Sequence, residues 1–230
     1  MWANLKRAPL ALLGPMLLLP AVQTAVAVHW QWHPAVSYPG LKALMIALPI
    51  LIWLSLRRSR AQVWATTGLK RTNLRAGLLV GGLMAGVILA GYYAVFRPTI
   101  DPAPLLAKVR SLGLGEHYWA MSLVVSLWNS LFEEYYWRAF LVGELRLWTT
   151  STAAVVAVAG AMFGLHHVFA MLSVFELPLV CLFAAGTALA GAVWAWMRLR
   201  GVSIFDCYLS HILADLAIMW IGYDLILRAR

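Results

Sequence analysis

The chain alternates between long apolar runs and short polar breaks. A helix that crosses a bilayer needs about 20 apolar residues, and the breaks carry the Pro, Gly, Thr or charged residues that mark turns. A further short helix, lying in or dipping into the membrane, is predicted near Ala103 to Leu114. The pattern therefore predicts an all-α, polytopic transmembrane helical bundle of about seven or eight membrane helices. The seven spans are predicted at about 9–28, 39–56, 74–96, 117–147, 152–171, 176–198 and 203–227.

Composition agrees with lipid as the solvent. The chain is 63% hydrophobic and 12% charged, whereas soluble domains are about half apolar and a quarter charged. The first run follows Lys6 and Arg7 like a signal peptide, but it is long and ends without a small-residue cleavage site, which favours a retained helix. We expect residues 1–230 to form one membrane domain, with N-terminal helices at about 9–96 and a catalytic core at about 117–227.

The formal net charge of +9 does not indicate nucleic-acid binding, because the basic residues collect in a loop between two apolar runs. Loops of this kind set membrane topology and meet anionic head groups. The excess of basic residues in alternate loops predicts an N-terminus on the inner side of the membrane. The basic residues of this loop are Arg57, Arg58, Arg60, Lys70, Arg71 and Arg75.

Ionisable residues inside the apolar runs are few, and they are costly unless they face protein or a wet cavity. In the fourth run, Glu134 and Arg138 are four residues apart, so they share a helix face and should form an ion pair. Glu133 points about 100° away, on the side of Asn129 and Trp137. The same four-residue spacing predicts that His211 and Asp215 share a face of the last helix.

The fourth and fifth runs should form an antiparallel hairpin that turns near residues 149–152. Glu134 lies 16 residues before Thr150, and His167 lies 16 residues after Ser151. A hairpin with this turn brings the two glutamates level with His166 and His167. Asp206, near the start of the last run, is predicted to be a charge favoured by its own helix dipole.

These groups suit hydrolysis of an amide by an activated water. A carboxylate in an apolar site, paired with an imidazole, can take a proton from water, and a second histidine beside a carboxylate can donate to an oxyanion. A set of glutamate and histidine side chains could also bind zinc with an open coordination position. In that alternative the ligands would be Glu133, His167 and His211.

At these residues the sequence resembles the CPBP family of intramembrane proteases, which includes the CAAX prenyl endopeptidases and the bacteriocin-processing and abortive-infection proteins. That family shows the motifs EExxxR, FxxxH and HxxxN/D on successive helices. Here they read Glu133-Glu134-x-x-x-Arg138, Phe163-x-x-x-His167 and His211-x-x-x-Asp215. Each motif alone is weakly specific, but the ordered set is strongly specific.

The resemblance implies a glutamic-type endopeptidase that needs no cofactor, with divalent zinc as the alternative. Glu133 and His167 would activate the water, and His211 and Asp215 would form the oxyanion site. Asp215 stands where asparagine is also common, and an ionised aspartate cannot donate, so it would be protonated or would orient His211. The supporting residues would be Glu134, Arg138, Asn129 and His166.

The partners implied are the lipid bilayer and a membrane-anchored protein or peptide, without nucleic acid. The substrate classes are C-terminal sorting tags, peptides or CAAX-like prenylated termini. Short loops and the lack of tails favour a prokaryotic protein of the cytoplasmic membrane. Three alternatives use the same buried groups differently: a non-catalytic immunity or scaffold protein, a proton-coupled transporter, and a haem protein with two axial histidines.

Overall fold

The computed structural model describes residues 5–229, and within them every regular element is a helix. Most helices begin after a break that carries proline, serine or a charged residue, as the sequence predicts. We number them in chain order: α1 Leu10–His29, α2 Pro34–Ser55, α3 Arg60–Thr67, α4 Arg75–Phe96, α5 Ala103–Ser111, α6 118–148, α7 Thr152–Met171, α8 Leu177–Leu199 and α9 Ile204–Arg228.

Six helices of the described chain (α1, α2, α4, α7, α8 and α9) are long and apolar enough to cross a membrane by length and composition. They agree with six of the predicted spans to within about five residues at each end. The remaining predicted span, 117–147, is the helix α6, which is less apolar because it carries Glu133, Glu134 and Arg138. The predicted short helix near Ala103 is α5, where Leu106 and Val109 are buried against Ile226.

The chain divides into two compact units. The first contains the residues up to Arg71 together with Glu133–Ile204, and the second contains Thr72–Phe132 together with the residues from Phe205 onward.

In the first unit, α7 and α8 approach each other closely through glycine. A Cβ atom added to Gly164 would lie 2.7 Å from the carbonyl oxygen of Ala184, and one added to Gly160 would lie 2.7 Å from that of Ala188. Small residues allow such approach, and packing of this kind associates helices where lipid removes the hydrophobic driving force. The helix α7, which carries the histidines, is therefore packed closely against α8.

A buried ion pair joins the α2–α3 loop to the end of α6 in the same unit. Arg58 donates to both carboxylate oxygens of Glu144, and both side chains are 1% exposed. Trp53 donates its indole N–H to the same carboxylate over 3.3 Å, and Arg58 also donates to the carbonyl oxygen of Lys6 over 2.7 Å. The N-terminal segment before α1 is thus tied to the end of α6.

In the second unit, α9 packs on α4 and is joined to it near both ends. Asp206 accepts from the hydroxyl of Thr72 and, over 3.0 Å, from the backbone N–H of Gly77. Asp206 lies in the first turn of α9, as predicted, and its carboxylate also caps the N-terminus of α4. Near the other end of α9, Asp224 accepts from the hydroxyl of Tyr92 over 2.6 Å and from Nε of Arg97 over 3.0 Å.

Candidate active site

In the first unit, the carboxylate of Glu133 on α6 lies against two imidazoles of α7. Nε2 of His166 is 3.5 Å from Oε1 of Glu133. One oxygen or nitrogen atom from each of Glu133, His166 and His167 lies within 4.8 Å of the others. Glu133 and His166 are buried, and His167 is half-buried. The level of these groups predicted from the α6–α7 hairpin is confirmed.

Two aromatic rings and one hydroxyl of the first unit contact His166. Its ring stacks on Trp137 at 5.8 Å and 20°, and the ring of Phe163 meets it edge-on at 4.9 Å. Its carbonyl oxygen accepts a 2.8 Å hydrogen bond from the hydroxyl of Thr24 on α1. Because both Trp137 and Glu133 contact His166, their predicted position on one side of α6 is confirmed.

His167 is oriented by its own helix. Nδ1 of its ring lies 3.0 Å from the carbonyl oxygen of Phe163, one turn earlier. A neutral imidazole that donates from Nδ1 to a carbonyl keeps Nε2 as its basic nitrogen. The ring centroids of His166 and His167 are 4.0 Å apart, so the two imidazoles form one cluster beside Glu133.

The second glutamate of the pair has a different environment. Oε1 of Glu134 lies 3.2 Å from Nη1 of Arg138, and both side chains are 1% exposed, which confirms the ion pair predicted from their spacing. The guanidinium of Arg138 lies 4.5 Å from the ring centroid of Phe163 and 4.9 Å from that of Trp194 on α8. The cation is therefore enclosed between a carboxylate and two aromatic faces.

The backbone of α6 departs from α-helical geometry around these residues. Residues Val125–Asn129 and Glu134–Leu141 form π-helical turns. Such turns are rare in proteins overall, and those that occur often lie at functional sites. They change the angle between successive side chains, so the faces of α6 cannot be derived from a regular 100° step alone.

In the second unit, Asp215 lies between a histidine and a serine. Oδ1 of Asp215 is 3.7 Å from Nε2 of His211, which confirms that the two residues share a face of α9. Oδ2 of Asp215 accepts a 2.6 Å hydrogen bond from the hydroxyl of Ser130 on α6. Ser130 was not among the predicted site residues, because no motif includes it. Asn129, a predicted supporting residue, is half-buried on the same helix.

The donor set of the first unit fits a transition metal. Two imidazoles and one carboxylate match catalytic zinc sites, which use three protein ligands and keep an open position. The contact between Nδ1 of His167 and a carbonyl is the arrangement that orients histidine ligands. The zinc hypothesis named Glu133, His167 and His211, whereas the set found in this unit has His166 as its third member.

Long apolar helices define an integral, multi-pass membrane protein, and this one carries buried carboxylates and imidazoles. Residues 115–217, which carry all three motifs, match the model of the family described as type II CAAX prenyl endopeptidase Rce1-like. This segment is similar to that family of membrane proteases, as the motifs predicted. Comparison with curated proteins and with solved structures gave no significant match.

Proposed function

We propose that this chain is an intramembrane endopeptidase of the glutamic type. Glu133, assisted by His167, would activate the water that attacks a peptide carbonyl of a membrane-anchored protein or peptide. His211 and Asp215 would supply the oxyanion site. The main support for this proposal is the contact of Glu133 with the imidazole cluster of α7.

The contrast between the adjacent glutamates supports this assignment. Glu134 faces Arg138, and its carboxylate forms a buried ion pair with that guanidinium. Glu133 instead faces groups that can both give and accept a proton. The two carboxylates therefore suit two tasks, one in holding the helices together and one in proton transfer.

The reaction would proceed through a tetrahedral intermediate. Glu133 takes a proton from water while the water oxygen forms a bond to the carbonyl carbon, and the carbonyl oxygen becomes an oxyanion. A hydrogen bond donated by His211 stabilises that oxyanion. The proton is then delivered to the amide nitrogen as the C–N bond breaks, with His167 helping to carry it, which yields a new carboxyl terminus and a new amino terminus.

A metal-dependent form of the same reaction uses the same residues. Glu133, His166 and His167 would hold the ion, and a bound zinc would lower the pKa of a water and polarise the carbonyl. Activity that persists after exhaustive chelation and dialysis, with metal content below stoichiometry by mass spectrometry, supports the metal-free form. Activity lost on chelation and restored by zinc supports the metal-dependent form.

Prenylated CAAX-like termini are the substrate class in the name of the matched family, and we propose C-terminal sorting tags and membrane-associated peptides beside them. We also propose a prokaryotic cytoplasmic membrane as the location, with the N-terminus inside. Co-expression with candidates of each class, followed by mass spectrometry of new termini, identifies the substrate. Reporter fusions at the N-terminus and in the loop that contains Arg60 test the orientation.

The catalytic assignment is tested by cleavage of a membrane-anchored substrate in proteoliposomes. Glu133→Gln, His167→Ala and His211→Ala should each lower kcat at least about 100-fold, because general acid–base catalysis typically contributes 100-fold to 10,000-fold. Glu116→Gln and His117→Ala change exposed residues of the same types and should retain wild-type activity. Full activity in Glu133→Gln contradicts the proposal. A folded wild type that cleaves none of the candidate substrates favours the non-catalytic alternative.

A further inference from the structure

Asp215 lies between two hydrogen-bond donors in the second unit. The hydroxyl of Ser130 donates to Oδ2 over 2.6 Å, and Nε2 of His211 faces Oδ1 at 3.7 Å. Ser130 is fully buried and His211 is 3% exposed. Each carboxylate oxygen of Asp215 therefore faces a donor group that is shielded from water.

This arrangement bears on the choice between two roles for Asp215. A protonated aspartate could itself donate to an oxyanion, but the only hydrogen would then have to sit on an oxygen that already faces a donor. An ionised aspartate accepts on both oxygens, which matches the two groups that face it. The geometry thus favours Asp215 as an acceptor, with donation to the reacting oxygen left to His211.

We propose that Ser130 is a positioning residue that fixes the carboxylate of Asp215, which in turn orients the imidazole of His211. Without the Ser130 hydroxyl, Asp215 can turn about its side-chain torsions, and His211 loses the acceptor that sets its ring plane. A carboxylate that accepts from Nε2 and an oxyanion that accepts from Nδ1 together use both N–H groups of a protonated His211 ring. This inference rests on the proposed function only where it concerns catalysis.

The first test is kinetic. Ser130→Ala should lower kcat about 10-fold to 100-fold with little change in KM, because a displaced catalytic group loses rate at that scale. Ser130→Thr retains the hydroxyl and should recover most of the activity. Ser126→Ala is the matched control: Ser126 is a fully buried serine one turn earlier on α6, and its hydroxyl has no hydrogen-bond partner in the described residues.

The same assay examines the role of Asp215. In Asp215→Asn, the amide can accept from His211 and donate to Ser130, but it carries no charge. If Asp215 orients His211 as a charged acceptor, this variant should lose kcat because a neutral amide is the weaker acceptor, whereas a donor role predicts that activity is kept or raised. Unchanged kcat in both Ser130→Ala and Asp215→Asn overturns the proposal.

The second test needs no substrate. The nitrogen signals of His211 are assigned in ¹⁵N-histidine-labelled protein by their absence in His211→Ala. They should shift in Ser130→Ala and stay in place in Ser126→Ala, while the signals of His166 and His167 are unchanged in both. Unshifted His211 signals in Ser130→Ala overturn the positioning role even if the protein proves to have no protease activity. Shifted signals in an inactive wild type would retain the inference and reject the proposed function.

Discussion

Arg138 is expected to stabilise the fold through its burial and not to take part in the reaction. Its guanidinium is 1% exposed, 3.2 Å from Glu134 and within 5 Å of the ring centroids of Phe163 and Trp194. Arg138→Met removes the positive charge and leaves Glu134 buried without it. Loss of one partner of a buried ion pair costs about 3–5 kcal/mol, and a desolvated cation–π contact contributes about 2 kcal/mol.

We therefore expect Arg138→Met to lower the free energy of unfolding by at least about 3 kcal/mol in a denaturant titration of the detergent-solubilised protein. Arg200→Met is the matched control, because the guanidinium of Arg200 lies 5.5 Å from the ring centroid of the exposed Trp196. An exposed contact of this kind contributes about 0.5–1 kcal/mol, so the control should lose much less.

A double-mutant cycle separates the ion pair from the packing. Glu134→Gln in the Arg138→Met background removes the uncompensated charge, so the double variant should regain about 1–3 kcal/mol relative to Arg138→Met alone. Arg138→Lys keeps the charge and loses the planar stacking, and it should be intermediate. The buried pair does not stabilise the fold if Arg138→Met is no more destabilising than Arg200→Met. The same conclusion follows if the loss of unfolding free energy in the double variant equals the sum of the losses in the two single variants.

Two further changes concern the packing of the first unit. Gly164→Ala should destabilise the protein by about 1–3 kcal/mol, because its Cβ would lie 2.7 Å from the carbonyl oxygen of Ala184; Gly186→Ala, which has open space around it, should be neutral or slightly stabilising in the same unfolding titration. Arg58→Met should leave Glu144 buried without its cationic partner and lower the free energy of unfolding by about 3–5 kcal/mol. Proteolysis of the N-terminal segment should also become faster, because Arg58 binds the carbonyl oxygen of Lys6. An N-terminus that stays resistant to protease in this variant would show that Arg58 does not hold this segment.

Local patterns were sufficient to predict the helices and the contacts within one helix. The apolar run predicted at 152–171 is the helix Thr152–Met171, because a span is set by its own hydrophobic length. The pairs Glu134–Arg138 and His211–Asp215 followed from spacing alone, since residues four apart are neighbours on any helical surface. A hairpin with a short turn also fixes relative depth, which is why the level of Glu133 and the α7 histidines could be derived.

Contacts between helices that are distant in the chain could not be predicted in this way. Nothing in the sequence around Trp194 distinguishes it from the other tryptophans, yet its ring forms one wall around Arg138. Ser130 belongs to no motif, and its role depends on which face of α9 meets α6 in the second unit. Asp206 lies at the start of its own helix as predicted, but periodicity cannot show that the N-terminus of α4 lies beside it.

Phe163 contacts the partners of both adjacent glutamates. Its ring contacts the guanidinium of Arg138 at 4.5 Å and the ring of His166 at 4.9 Å, so an apolar side chain lies between the fixed cation and the imidazole cluster. Its carbonyl oxygen also orients His167. One residue of the FxxxH motif thus contacts both the cation that pairs with Glu134 and the imidazoles that face Glu133. The adjacency of the two acids in the sequence is therefore compatible with separate functions, because their side chains face different partners.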